Sequence, residues 1–234
     1  MNVHGKNVAK ELLNNNHKIK KAYLIDSFDE KEIVQKLEKL GVPICNLDKR
    51  QIDKMERGNH QGIILEIEDY KFLSEKEMIF NLQSNPFIVI LDHLEDPHNF
   101  GAIIRTCEAA GVDYIIIPKD RSVSINATVM KTSVGALDNV KIVLVNNLNS
   151  TINNLKEKGV WIVGTDMQDS EEYTCIDYNL PVALVIGSEG FGMSSLVKKN
   201  CDFIARIPMY GKINSLNASV AAGIMIYEVL KQRK

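Results

Sequence analysis

The sequence predicts an α/β protein, with a mostly parallel, doubly wound sheet in its larger C-terminal part. Two patterns support this fold class. Short apolar runs rich in β-branched residues suit strands that are covered on both faces of a parallel sheet, and helical patterns separate most of them. The runs are 87–91, 114–117, 142–145, 161–163, 182–186 and 203–207.

The sequence pattern of the N-terminal part predicts a smaller α/β unit. Its patterns indicate helices at 5–13, 30–40 and 48–57 and strands at 22–25, 43–46 and 62–67. Asp48 is expected to cap the third of these helices. A charged stretch and a turn signal follow this part. We therefore expect a small domain at 1–72, a linker at 73–85 and a second domain at 86–234.

Composition and charge narrow the functional classes. Hydrophobic residues make up 45% and charged residues 25% of 234 residues, which is ordinary for a globular protein. No apolar run reaches membrane length, and residues 1–10 have no signal-like apolar core, so a cytoplasmic location is expected. The net charge of −2 gives nucleic-acid binding no general support. The four cysteines form no C-x-x-C pair and the histidines are scattered, which predicts reduced cysteines and no metal site.

The first polar segment follows the run 87–91 and reads DHLEDPHNFGAIIR. Asp96 and Pro97 predict the start of a helix, and Gly111 predicts its end. Sites in such sheets lie beyond the carboxyl ends of the strands, which makes Asn99 and Arg105 candidates. Taken alone, Asn99 as a helix cap and Arg105 as a solvated surface residue are the simpler interpretation.

Two further segments follow later strands. GSEGFG at 187–192 comes directly after 182–186, where glycine allows backbone to approach a ligand closely. IPMYGKINSLNAS at 207–219 follows the last run and is expected to enter the final helix at Asn214 or Ser215. Each segment alone could be a turn or a cap.

In order and spacing, the three segments together resemble the motifs of the SpoU (TrmH) class of the SPOUT superfamily of RNA methyltransferases. The resemblance covers residues 86–234, and it is closest to members that methylate a guanosine ribose in large-subunit ribosomal RNA. Residues 1–72 look like the family's substrate-binding domain. His60-Gln61-Gly62 matches the short sequence with which that domain usually ends. The residues that carry the three motifs are Asn99-Phe100-Gly101 with Arg105, Ile186 to Gly190, Ile207 to Met209, and Ser215 to Ser219.

The resemblance implies a deep trefoil knot in the C-terminal domain, S-adenosylmethionine as cofactor without a metal, an RNA hairpin as substrate and a homodimer. It implies two sets of site residues. The catalytic set is Asn99, Arg105, Glu189, Ser215 and Asn217. The cofactor-binding set is Thr165, Gly187, Gly190, Ile207, Met209 and Leu216.

The proton acceptor for the attacking hydroxyl is left open by these residues. The family's proposed base corresponds to Arg105, but a guanidinium is effectively always protonated. Arg105 either accepts the proton in a tuned site, or clamps a phosphate while water or a phosphate oxygen accepts it. We favour the clamp.

Other functions are also considered. The RNA could be transfer RNA, or ribosomal RNA methylated for antibiotic resistance. The chain could instead be a non-catalytic RNA-binding factor in ribosome assembly, although such a factor has no need of Asn99, Arg105, Glu189 and Asn217 together. A nicotinamide-dependent oxidoreductase is disfavoured because G-x-G-x-x-G is missing after the first strand of 86–234.

Overall fold

The computed structural model describes residues 1–14, 17–120, 122–213 and 215–234. In this part of the chain the strands are β1 (Asn2–His4), β2 (Ile19–Ile25), β3 (Ile44–Leu47), β4 (Ile63–Ile67), β5 (Phe87–Asp92), β6 (Tyr114–Pro118), β7 (Ile142–Val145), β8 (Trp161–Thr165), β9 (Glu171–Glu172), β10 (Val182–Gly187) and β11 (Phe203–Arg206). The helices are α1 (Lys6–Asn14), α2 (Lys31–Lys39), α3 (Lys49–Met55), α4 (Glu75–Phe80), α5 (Pro97–Ala110), α6 (Ala127–Ser133), α7 (Leu148–Glu157), α8 (Ser195–Asn200) and α9 (Ala218–Gln232).

The chain forms two compact units. The first comprises Met1–Lys71 and Ile125–Gly135, and the second comprises Phe72–Ser124 and Ala136–Lys234. The segment 73–85, expected to be a linker, lies within the second unit. There α4 begins with a capping box at Ser74, and its Met78 is completely buried in the core. The sequence did not reveal α4 because a six-residue helix, which has fewer than two turns, shows little periodicity.

The first unit contains a four-stranded sheet in the order β1-β4-β2-β3. β2 and β3 are parallel, while β4 is antiparallel to both β1 and β2. The expected cap of α3 is confirmed, because Asp48 accepts the Gln51 N–H and the Gln51 side chain accepts the Asp48 N–H. β1 and α6 were not predicted. Both are short, so neither gives a clear period.

The second unit contains a seven-stranded sheet in the order β7-β6-β5-β10-β8-β11-β9, in which every paired strand is parallel. Side chains of α4, α7 and α8 join one buried cluster on one face of this sheet. α5 and α9 pack against each other, α9 contacts β10, and neither helix contributes to that cluster. These two helices therefore cover the other face, which confirms the predicted doubly wound sheet.

The strand order brings two of the polar segments together. After β5 the chain adds β6 and β7 on one side, and it then places β8, β10 and β11 on the other. β5 and β10 are neighbours across this switch, with Asp92 opposite Gly187 at their carboxyl ends. Ligand sites in open α/β sheets form at such a point.

Candidate functional site

Asn99 is positioned by the start of α5. The Asp96 side chain caps this helix by accepting the Asn99 N–H at 2.9 Å, Pro97 occupies the first turn, and Gly111 ends the helix in a left-handed conformation. These predicted signals are confirmed. Asn99 is the third residue of the helix rather than its cap, so its side chain is free for other contacts. It is 94% buried, with a relative exposure of 6%.

Glu189 lies in a tight hairpin that follows β10. Ser188 and Gly192 exchange two backbone hydrogen bonds, of 3.0 and 2.9 Å. Gly190 and Gly192 have φ values of 80° and 66°, a region that glycine enters without steric cost. A Cβ built on Gly187 would lie 2.2 Å from the Gly192 carbonyl carbon. The glycines of GSEGFG are therefore required by the fold of the hairpin itself.

Asn217 caps α9. Its Oδ1 accepts the backbone N–H groups of Ser219 at 3.0 Å and Val220 at 3.3 Å. The helix therefore begins at Ala218 and not at Ser215, and Asn214 lies outside the described residues. The backbone donors fix the orientation of the amide, because Oδ1 must face them. The Nδ2 group must consequently point away from the helix.

The three side chains meet in one hydrogen-bond network. Asn99 Nδ2 donates to Glu189 Oε1 at 2.8 Å, and Asn217 Nδ2 donates to the same oxygen at 2.6 Å. Asn217 Nδ2 also lies 3.0 Å from Asn99 Oδ1. The Ala218 N–H lies 3.3 Å from Glu189 Oε1, at the positive end of α9. Among the described residues, Oε1 has all these donors and Oε2 has none.

Ser215 and Arg105 have different surroundings. Ser215 is exposed and lines the cleft described below. Arg105 is exposed on α5, outside the lining of that cleft, and it forms no hydrogen bond or ion pair with any residue that the structure describes. Six residues separate Arg105 from Asn99, which places the two side chains about 120° apart around the helix. The fold of one chain brings Asn99, Glu189 and Asn217 together and leaves Arg105 apart.

A cleft of about 560 Å³ lies beside the network. All six residues predicted to bind the cofactor line it: Thr165, Gly187, Gly190, Ile207, Met209 and Leu216. Sequence reasoning missed others. Asp166, Met167 and Gln168 follow β8, so the strand-end rule could have found them. Ala221 on α9 has no such signal, because only helix packing brings it to the cleft.

Asp166 is the missed carboxylate of this cleft. Burial acts to raise its pKa, but the hydrogen bond from the Gln168 N–H and the contact with Lys198 outweigh that effect, and the pKa lies below its ordinary value. Lys198 Nζ stands 3.0 Å from Asp166 Oδ2. The carboxylate is thereby kept ionised at the rim of the cleft.

Asp92 is a second missed residue. Its side chain is completely buried at the end of β5, and its Oδ2 accepts the Ser194 N–H at 2.7 Å. The other oxygen contacts His93 Nδ1. Ser194 comes two residues after the hairpin, so this buried carboxylate anchors the far end of the segment that carries Glu189. An aspartate at the end of an apolar strand was the only sequence signal.

The described residues contain no group of three or more His, Cys, Asp or Glu side chains placed to hold a metal ion. In the same part of the chain, every helix is too short or too polar to cross a membrane.

Two family models match the chain. The model described as the SpoU rRNA Methylase family matches residues 86–227. The model described as RNA 2′-O ribose methyltransferase substrate binding matches residues 3–73. These matches correspond to the segments in which the sequence predicted the two functional parts.

Relatives and solved structures agree with these matches. Protein YacO of Bacillus subtilis (strain 168), which is assigned to the TrmH family of tRNA/rRNA methyltransferases, is 40% identical over 98% of this chain and 94% of its own. The crystal structure of an AdoMet-bound rRNA methyltransferase from Sinorhizobium meliloti aligns with a TM-score of 0.73 and 26% identity, over 98% of this chain and 86% of that one. A TrmH/SpoU tRNA modifying enzyme from A. aeolicus aligns with a TM-score of 0.58 and 32% identity, over 68% and 84%.

Proposed function

The chain belongs to the SpoU rRNA methylase family of RNA methyltransferases, and from this we propose that it methylates a ribose 2′-hydroxyl of RNA with S-adenosylmethionine. One observation carries the ribose assignment. The Asn99–Glu189–Asn217 network joins all three polar segments beside a cleft of suitable size. The match of residues 3–73 to a 2′-O ribose substrate-binding model supports it.

The cleft fits S-adenosylmethionine in size and chemistry. Its volume of about 560 Å³ is within the usual range for small-molecule sites. Ile186, Ile207 and Leu216 offer an apolar lining for an adenine ring, and the backbone of the hairpin offers polar groups. When bound, the cofactor supplies an electrophilic methyl group on a sulfonium. The Asp166 carboxylate at the rim suits that positive charge.

Glu189, Asn99 and Asn217 are assigned to orienting the ribose. Glu189 Oε2 has no donor among the described residues, so it can hold, through a hydrogen bond, a water molecule that accepts the proton of the 2′-hydroxyl. The two amides fix the carboxylate through Oε1, so the carboxylate does not have to reorient during the reaction. Ser215, at the edge of the cleft, completes the polar surroundings of the ribose. Methyl transfer requires the oxygen within roughly 3–3.5 Å of the carbon, in line with the bond that breaks.

Arg105 is assigned to the phosphate next to the target ribose. A guanidinium binds a phosphate with two parallel hydrogen bonds, and it does not lose its own proton near neutral pH. Water or a phosphate oxygen is then the acceptor of the hydroxyl proton. The side chain is exposed and without a partner among the described residues, so it is available for this contact.

A homodimer is the proposed assembly, formed through α9. Val220 and Tyr227 are 49% and 51% exposed on this helix. One heptad separates them, so they lie on the same side of the helix. Since α5 packs on α9, a second copy docked there would also lie near Arg105. The C-terminal knot and the cytoplasmic location remain predictions from the family and the sequence.

A guanosine in large-subunit ribosomal RNA is the proposed target, with transfer RNA as the alternative. The experiment uses purified protein, radiolabelled S-adenosylmethionine and total RNA from a strain that lacks the protein. Fractionation and digestion to nucleosides are expected to place the label in 2′-O-methylguanosine of large-subunit RNA. Label in transfer RNA would show that transfer RNA, and not ribosomal RNA, is the substrate. Label on a base, or no label at all, would refute ribose methylation.

A further inference from the structure

Phe191 is an exposed aromatic residue of the hairpin that carries Glu189. It lines the cleft, yet 94% of its surface is open to solvent. The burial of a large aromatic side chain is favourable, because it removes a large apolar area from water. A phenylalanine in this position therefore has a contact surface that the chain itself leaves unused.

The hairpin presents this ring in a fixed way. Phe191 lies between Gly190 and Gly192, whose left-handed backbone sets the direction of the turn. The base of the hairpin is closed by the two Ser188–Gly192 hydrogen bonds. Glu189, two residues before Phe191, is tied to Asn99 and Asn217. The ring thus projects from a turn that is anchored at its base and through a neighbouring side chain.

The position of the ring relative to Glu189 indicates what covers it. In the proposed reaction the ribose lies at Glu189, so the base of that nucleotide, or of its neighbour, lies within a few ångströms. An unpaired base in RNA is commonly stacked on an exposed aromatic ring. Any base has such a face, so an aromatic ring gives affinity without fixing the sequence.

We propose that Phe191 is the stacking contact for an unpaired base of the RNA substrate. This inference rests on the proposed function and adds a substrate-binding residue to it. Tyr210, which is 96% exposed, directly follows the cleft-lining Met209. It is a second exposed aromatic ring, carried by a different segment and next in sequence to a residue that lines the same cleft.

The chain offers a matched control. Phe80 is 88% exposed at the end of α4, in the same unit. It belongs to none of the three polar segments, and it does not line the cleft. Phe80→Ala removes an equally exposed ring, so it reports any general effect of lost apolar surface on folding or RNA binding.

The experiment compares Phe191→Ala, Phe191→Leu and Phe191→Trp with Phe80→Ala and the unchanged protein. Calorimetry gives S-adenosylmethionine affinity, filter binding gives affinity for ribosomal RNA from the strain lacking the protein, and methyl incorporation gives KM and kcat. Phe191→Ala is expected to raise the RNA dissociation constant and KM by roughly 5- to 150-fold, the effect of losing one base stack. Phe191→Leu should resemble Ala, Phe191→Trp should resemble the unchanged protein, and cofactor affinity should stay within about twofold.

Four results would overturn the proposal. Equal RNA binding by Phe191→Ala and Phe80→Ala would show that no base stacks there. Full activity of Phe191→Leu would mean that any apolar side chain of this size supports RNA binding, without a stacked aromatic ring. Parallel loss of cofactor affinity, or a change of oligomeric state, would place the ring on the cofactor or on a second copy. If the unchanged protein methylates no RNA, the proposed function fails instead, and RNA binding still tests Phe191.

Discussion

Asn99 and Glu189 lie 90 residues apart in the chain, and the Asn99 Nδ2 group donates a 2.8 Å hydrogen bond to Glu189 Oε1. Asn217 donates to the same oxygen, at 2.6 Å. A carboxylate fixed by two amides keeps its second oxygen available at a constant position. Preorganisation of this kind is a large source of rate enhancement in enzymes.

Asn217→Asp separates the two roles of this residue, which are to cap α9 and to donate a hydrogen bond to Glu189. Aspartate caps a helix as well as asparagine, so the contribution of the cap to the free energy of unfolding should change by less than about 1 kcal/mol. The new oxygen cannot donate to Glu189 and repels it, so methyl transfer should fall roughly 100-fold. Chemical denaturation and initial rates measure the two effects.

Asn147→Asp is the matched control for that variant. Asn147 caps α7 by accepting the Ser150 N–H, and it is not part of the cleft. Its replacement should change neither stability nor rate appreciably. Normal turnover of Asn217→Asp would show that the amide donors have no catalytic role.

Gly187→Ala should abolish cofactor binding. The added Cβ would lie 2.2 Å from one backbone atom and 2.4 Å from another in the opposite part of the hairpin, and backbone cannot move aside cheaply. The hairpin must open, which displaces both Glu189 and the wall of the cleft. Calorimetric titration with S-adenosylmethionine is the measurement, and affinity close to normal would mean that the hairpin is more adaptable than its geometry indicates.

Asp92→Ala should destabilise the second unit. It leaves the partly buried Ser194 N–H without its acceptor, and the loss of such a hydrogen bond to a charged group costs about 1–3 kcal/mol. Asp92→Asn can still accept that hydrogen bond and should be milder. Urea denaturation compares the two. Equal stability of the Ala and Asn variants would argue that the bond to Ser194 contributes little.

Cysteine reactivity tests burial in the second unit. Burial, and secondarily the neighbouring Asp202 carboxylate, raise the pKa of Cys201 to about 12, and burial also raises the pKa of Cys107. A thiol reacts as the thiolate, so at pH 8 only about 1 in 10,000 Cys201 side chains is reactive. Cys175 is exposed and should be labelled by a thiol reagent in the folded protein. Labelling of Cys107 or Cys201 should require denaturant, and Cys175→Ser identifies the fast phase.

Tyr227→Asp should dissociate the proposed homodimer and reduce methyl transfer with it. A carboxylate in the centre of an apolar contact is costly to desolvate. Leu180→Asp is the control, since Leu180 is also an exposed apolar residue, at 41%, but does not lie on α9. Light scattering gives the mass of each variant. A monomeric unchanged protein, or a dimer that Tyr227→Asp leaves intact, would exclude α9 as the interface.

The sequence by itself determined the local features of this protein. Period and β-branched content identified six of the seven strands of the large sheet, because a strand buried on both faces needs an unbroken apolar run. The two exposed glutamates of β9 give no such signal. Capping chemistry identified the starts of α3 and α5, since Asp48 and Asp96 act on backbone groups within three residues. Motif order and spacing identified the family and several of the residues that line the cleft.

Only the tertiary structure decided which of these residues meet. Asn99 and Asn217 are 118 residues apart, and their contact depends on β5 and β10 being neighbours and on α9 packing beside α5. The same packing leaves Arg105 exposed, while the cluster on the opposite face of the sheet buries Met78 of the expected linker. A local pattern specifies an element and its ends. Strand order and helix packing are set by burial over the whole unit, so the network of Asn99, Glu189 and Asn217 could be located only in the folded chain.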